Sequence, residues 1–220
     1  NGGSGNDRRN YASLCKGGKM MKGLLLKDLY IAKSNILVII GSLIVLGFGL
    51  SVLIEASALL VLAPPCATTA VFISITSDAN SKWSKNVITM PVSRSQIIGE
   101  KFILFIILSV LGIMAALIPC GVLAIFGAEI SLASLLLYGS IGVSAALFAG
   151  CFSLPCAYFF DPDKSQIVFL MSFLASTGII VALVLLINLF IPVKGNILLP
   201  FNIVLIIAAI FFFISHKIAV

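Results

Sequence analysis

From residue 35 onward the chain repeats one pattern: about twenty mostly apolar residues, then a short polar break. The apolar runs fall at about 35–54, 56–76, 102–124, 131–154, 167–191 and 197–214. Each is long enough for a helix to cross roughly 30 Å of hydrocarbon. The breaks are Glu55, a long polar interval at 77–101, Gly127 to Glu129, the turn DPDKSQ at 161–166, and 192–196. This pattern predicts an all-α, polytopic membrane protein with six transmembrane helices. A spanning barrel would show short alternating strands instead.

Within the runs, a few residues carry packing information. Pro64 and Pro65 interrupt the second span, so the carbonyls they free must be covered by a neighbouring helix or line a cavity. Pro119 lies near the far end of the third span. In the fourth, Gly142, Ala146 and Gly150 recur every four residues, a small-residue face on which another helix can approach closely.

Ahead of the first span, residues 21–33 (MKGLLLKDLYIAK) place Leu25 with Leu29 and Leu26 with Tyr30 at four-residue spacing. That spacing suits a helix lying at the membrane interface with snorkelling lysines. A plain extension of the first span fits equally. Residues 1–19 are polar and glycine-rich, without the apolar stretch of a secretory signal. NGGSG reads as an artificial linker, and the natural start is expected at Met20 or Met21. The membrane domain is accordingly assigned to residues 20–220.

The polar interval is itself patterned. At 100° per residue from Lys82, Lys85, Asn86 and Thr89 fall within about 60° of it, while Trp83, Val87 and Met90 cluster at about 80° to 140°. The pattern predicts a short amphipathic helix with a Trp-Val-Met stripe, capped by Asn80 or Ser81 and stopped by Pro91. Ser93 and Gln96 then have the spacing of a capping box that opens the next helix into the third span. The stripe could seat in a groove of a partner protein or rest on lipid with Trp83 as an anchor. Periodicity does not separate the two.

Composition agrees with the membrane reading, with 60% hydrophobic and 10% charged residues in 220, against about a quarter charged in soluble domains. The net charge of +6 resides mostly at span ends, which favours anionic headgroups over nucleic acid. With the N-terminus inside, thirteen basic residues lie on the inner side against Lys194 alone outside; without the leader the count is nine against one. The positive-inside rule thus places both termini and the 77–101 interval in the cytoplasm. Cys15, Cys66, Cys120, Cys151 and Cys156 lack CxxC spacing and read as small apolar residues rather than metal or redox groups.

The runs as bounded above contain no Asp, Glu, Lys, Arg or His. Ion-coupled transporters commonly carry such groups near the midplane. No catalytic residues and no metal ligands are assigned, since His216 alone offers neither a dyad nor a ligand set. No GxxxxGK[ST] is present to hold ATP phosphates. The polar side chains available to a substrate path are Thr68, Thr69, Thr177, Asn188 and Asn202, most of which are expected to bond across helices.

Residues 21–35, and above all DANSKWSKNVITMPVSRSQIIGEKF at 78–102, resemble the bacterial ABC-2 type transporter permeases. The chain is most similar to the small six-span branch that includes peptide exporters of Gram-positive bacteria, such as those for phenol-soluble modulins. The matching residues are Asp78, Trp83, the run Met90, Pro91, Val92, Ser93 and Arg94, then Gln96, Ile97, Ile98 and Lys101. Two departures are Pro64-Pro65 and an end almost at the sixth span, where the family usually continues into a charged tail.

The resemblance implies a permease of the bacterial cytoplasmic membrane, not itself an enzyme, that works as a homodimer or heterodimer. It implies two separate ABC ATPase subunits that carry ATP and Mg, no cofactor being bound by this chain. Trp83, Val87, Met90, Pro91, Ser93 and Arg94 would form the coupling surface, and Asp161, Asp163 and Lys164 a second cytoplasmic contact. Export of a hydrophobic or amphipathic peptide, antibiotic or lipid is the function expected. The alternative is a membrane anchor or assembly protein that recruits a cytoplasmic partner without transport.

Overall fold

In the computed structural model, which describes residues 4–50, 55–81, 94–126, 131–159, 165–190 and 198–219, the apolar runs are helices. They are α1 (Ser4–Leu50), α2 (Leu59–Asn80), α3 (Arg94–Ile125), α4 (Leu132–Phe159), α5 (Ser165–Phe190) and α6 (Leu198–Ala219). A 3-10 turn, Ala56–Ala58, leads into α2. The five helices α2 to α6 are each long and apolar enough to cross a membrane. A sixth crossing comes from α1 if its limbs Gly23–Ile31 and Asn35–Gly49, bent by 54°, count as one span. The chain is an all-α, multi-pass membrane protein.

At the centre are α2 and α4, in contact with each other. α2 also packs on α1 and α3, and α4 on α5 and α6. The main core joins Val71 and Phe72 of α2, Leu104 and Phe105 of α3, and Ala149 and Leu154 of α4. α5 is the most outward helix, exposing Leu170, Met171, Leu174, Val181, Leu185 and Leu189. Such a face suits lipid, which is as apolar as leucine.

The prolines of α2 explain how it meets α4. Pro64 has no N–H to give to the carbonyl of Leu60, and in hydrocarbon that oxygen needs other cover. The cover is Gly142 of α4: a Cβ built there would stand 2.1 Å from Leu60 O and 3.0 Å from Val61 Cα. Only glycine permits that approach, and its Cα–H groups face the carbonyl. Further along the small-residue face of α4, Gly150 meets the ring of Phe105, an added Cβ falling 2.6 Å from Cζ. Thr68 donates to Pro65 O at 2.8 Å.

At 32 residues, α3 is about 48 Å long, well beyond the roughly 30 Å of hydrocarbon. Its first two turns, up to Lys101, therefore have room to stand at the polar edge before the apolar stretch that starts at Phe102. At that same end α2 finishes, α6 finishes and the first limb of α1 folds back.

Candidate functional site

Three helices bring charged side chains to this end of the bundle. The 54° bend of α1 turns its first limb across the ends of α2 and α3, with Leu25 packed inward and Leu26 and Tyr30 facing out. The same limb delivers Lys27 and Asp28. Ser74 and Asp78, one turn apart on α2, share a face. Glu100 and Lys101 lie in the second turn of α3.

Lys101 is the hub. Its Nζ donates to Asp28 Oδ2, to Asp78 Oδ2 at 2.9 Å and to Ser74 Oγ at 2.7 Å. An ammonium has three N–H donors, so these partners saturate it. Lys27 Nζ donates to Asp78 Oδ1 at 2.6 Å and stands 3.3 Å from Asp28 Oδ1. Asp28, Glu100 and Lys101 are at most 3% exposed. Charges this deep are tolerated only when closely paired.

Among the described residues Glu100 makes no direct ion pair, though the charges of Lys101 and Lys27 act on it. It stands within hydrogen-bonding reach of Asp28. Among the described residues, Glu100 Oε1 and Asp28 Oδ1 are buried and accept no hydrogen bond. An aromatic layer closes the site from the membrane side: Phe102 packs on Phe212 with ring centroids 5.1 Å apart and on the His216 ring at 5.0 Å, edge to face. His216 also faces Gly99, where an added Cβ would meet Nε2 at 3.4 Å.

Chemically the cluster is a clasp. One ammonium ties α1 to α3 across 73 residues of sequence and, through Asp78, ties together the two ends of the polar interval. Breaking it by removing one charge would strand the others in a poorly hydrated site. Among the described residues no three His, Cys, Asp or Glu side chains are arranged to hold a metal ion.

The residues expected to face a partner fall mostly beyond this description. Trp83, Val87, Met90, Pro91 and Ser93 lie outside the described residues, as do Asp161, Asp163 and Lys164. Arg94 is the first described residue of α3, with its side chain outside the description, and the expected cap at Ser93 lies outside the described residues. Thr68, Thr69, Thr177 and Asn202 bond back to carbonyls of their own helices, not across helices as expected, because a short polar side chain finds the carbonyl three or four residues back within reach. Thr68 is buried, whereas Thr177, Asn188 and Asn202 are exposed on α5 and α6.

Sequence reasoning set Lys27 and Asp28 in an interfacial helix with snorkelling lysines, and gave Ser74 and Glu100 no role. A signal was present: the four-residue spacing of Ser74 with Asp78 and of Gln96 with Glu100 puts polar groups on one face at the edge of an apolar run. That these faces meet each other, and meet Asp28, is a tertiary fact.

Against known proteins, the family model described as ABC-2 family transporter protein matches residues 23–220. No curated protein and no solved structure matches the chain. The matched region begins at the first limb of α1 and takes in every member of the ion cluster and all the apolar helices. This multi-pass chain is a membrane permease component of an ABC transporter, and it belongs to the ABC-2 family of transporter proteins.

Proposed function

We propose that the chain is the membrane-spanning subunit of an ATP-driven exporter in the bacterial cytoplasmic membrane, powered by a separate ABC ATPase that binds ATP and Mg. It works as a pair with itself or with a second permease, and its cargo is hydrophobic or amphipathic: a peptide, an antibiotic or a lipid. The ATPase docks on the polar interval through Trp83, Val87, Met90, Pro91, Ser93 and Arg94, with Asp161, Asp163 and Lys164 as a second contact. The absence of charged side chains from the apolar runs favours such cargo, and the positive-inside count favours a cytoplasmic interval.

One observation carries this reading: the bond from Lys101 to Asp78 at 2.9 Å closes the base of that interval, and the bond from Lys101 to Asp28 extends it to α1. A push on the loop is then received by α1, α2 and α3 together. The test is Trp83→Ala combined with Met90→Ala, assayed by co-purification with the ATPase encoded beside the chain and by export. Loss of both is expected. Retained ATPase with normal export would end the docking claim. Lost ATPase with no cargo that depends on it would favour an anchor protein instead.

A further inference from the structure

We propose that Asp28 and Glu100 hold one proton between them while the first limb of α1 is seated on α2 and α3. The inference concerns the clasp alone and stands whether or not the polar interval docks an ATPase.

The argument is an inventory of donors and charges. The groups around the pair among the described residues are Lys27 from α1, Ser74 and Asp78 from α2 and Lys101 from α3, while His216 of α6 stands against Gly99 and Phe102 on the neighbouring turn. Lys101 has spent its three donors on Asp28, Asp78 and Ser74. Lys27 is directed to Asp78 and borders Asp28. Among the described residues no donor bonds Glu100 Oε1, and Lys27 and Lys101 act on this carboxyl through their charge alone. Among the described residues, three carboxylates against two ammoniums leave one negative charge over in a site where Glu100 is 2% exposed.

Two carboxylates within bonding reach of each other, each with a buried oxygen that accepts nothing, cannot both stay ionised without a large penalty. One proton cures both defects. It supplies the missing donor between the two carboxyls and brings the five-group cluster to neutrality. The proton belongs to the pair rather than to either residue. A metal ion is the poorer occupant, since among the described residues no three-ligand set is formed.

The consequence is a pH-sensitive seat for α1. When the limb lifts, Asp28 leaves, Glu100 gains water and the proton is released. Stability falls with rising pH wherever the native state holds more protons than the unfolded one. Seating of α1 is therefore favoured in acid and weakened in alkali.

The experiment uses the full chain in lipid nanodiscs. Infrared spectra are expected to show the C=O band of a protonated carboxylic acid, lost in Glu100→Gln and also in Asp28→Asn, whose amide can donate to Glu100 directly. Either variant serves if the other fails to fold. In parallel, unfolding is followed from about pH 5.5 to about pH 8.5, where one bound proton weakens folding by up to about tenfold per pH unit. Wild type and His216→Gln should show that slope, and Glu100→Gln should be flat. The proposal is overturned by a band that persists in both carboxyl variants, by no such band in wild type, by a slope retained in Glu100→Gln or lost in His216→Gln, or by sodium removing the slope at constant ionic strength.

Discussion

Lys101 of α3 joins three helices through one ammonium, which bonds residues of α1 and α2. Lys101 is 3% exposed, and its ammonium meets two carboxylates and a hydroxyl. Removing one partner of a buried pair typically costs about 3–5 kcal/mol because the other is stranded, whereas removing both costs less than the sum. Asp28→Ala and Lys101→Ala should each destabilise the chain markedly in thermal unfolding. The double substitution should recover about 1–3 kcal/mol of coupling; simple additivity would show that the two do not act as a pair. Little of this was legible beforehand. Asp78 and Lys101 stood in the family pattern, and Asp28 was visible as an acid among leucines, but hydropathy places all of them at the edges of runs. Whether an edge residue reaches for headgroups or for another helix depends on a 54° bend and on helix neighbours that no periodicity encodes.

Among the elements, the α2 and α4 pair shows what sequence does give. The order of the apolar helices, and five of the six spans outright, followed from run length, because a lipid-facing backbone outside a closed barrel must be helical. The proline pair was recognised as needing cover, and the small-residue face of α4 as inviting a close neighbour. What remained hidden was that each answers the other, with Gly142 on the carbonyl of Leu60. This contact makes a paired prediction. Gly142→Ala would force a Cβ against backbone and should cost about 1–3 kcal/mol, the ordinary range for overpacking. Gly139→Ala, three residues away on the same helix, meets nothing within 4 Å. It should be neutral or stabilise by up to about 1 kcal/mol through helix propensity. Thermal unfolding of both variants in one detergent checks the contrast, and equal effects would remove the close-approach account of the α2–α4 contact.

At the scale of the whole molecule, the proposed docking and transmission are separable by experiment, because they are assigned to different residues. In that proposal a partner would grip Trp83, Val87 and Met90, and the clasp would carry the motion into the bundle. Asp78 is the joint between the two: it closes the base of the polar interval by accepting from Lys101 at 2.9 Å and from Lys27 at 2.6 Å, yet it is not in the proposed gripping surface. Asp28 keeps Lys101 paired when Asp78 is neutralised, so Asp78→Asn should still fold and still bring down the ATPase. What it should lose is the rigid link between the ends of α2 and α3. Coupling free energies between sites commonly amount to about 1–3 kcal/mol, so export per ATP hydrolysed should fall by about fivefold or more while ATPase association stays at the wild-type level. That is the reverse of the Trp83→Ala, Met90→Ala outcome, in which association itself is lost. If Asp78→Asn abolishes association, the clasp shapes the docking surface rather than carrying its motion. If it leaves both association and export unchanged, force enters the bundle by a route that bypasses the ion cluster.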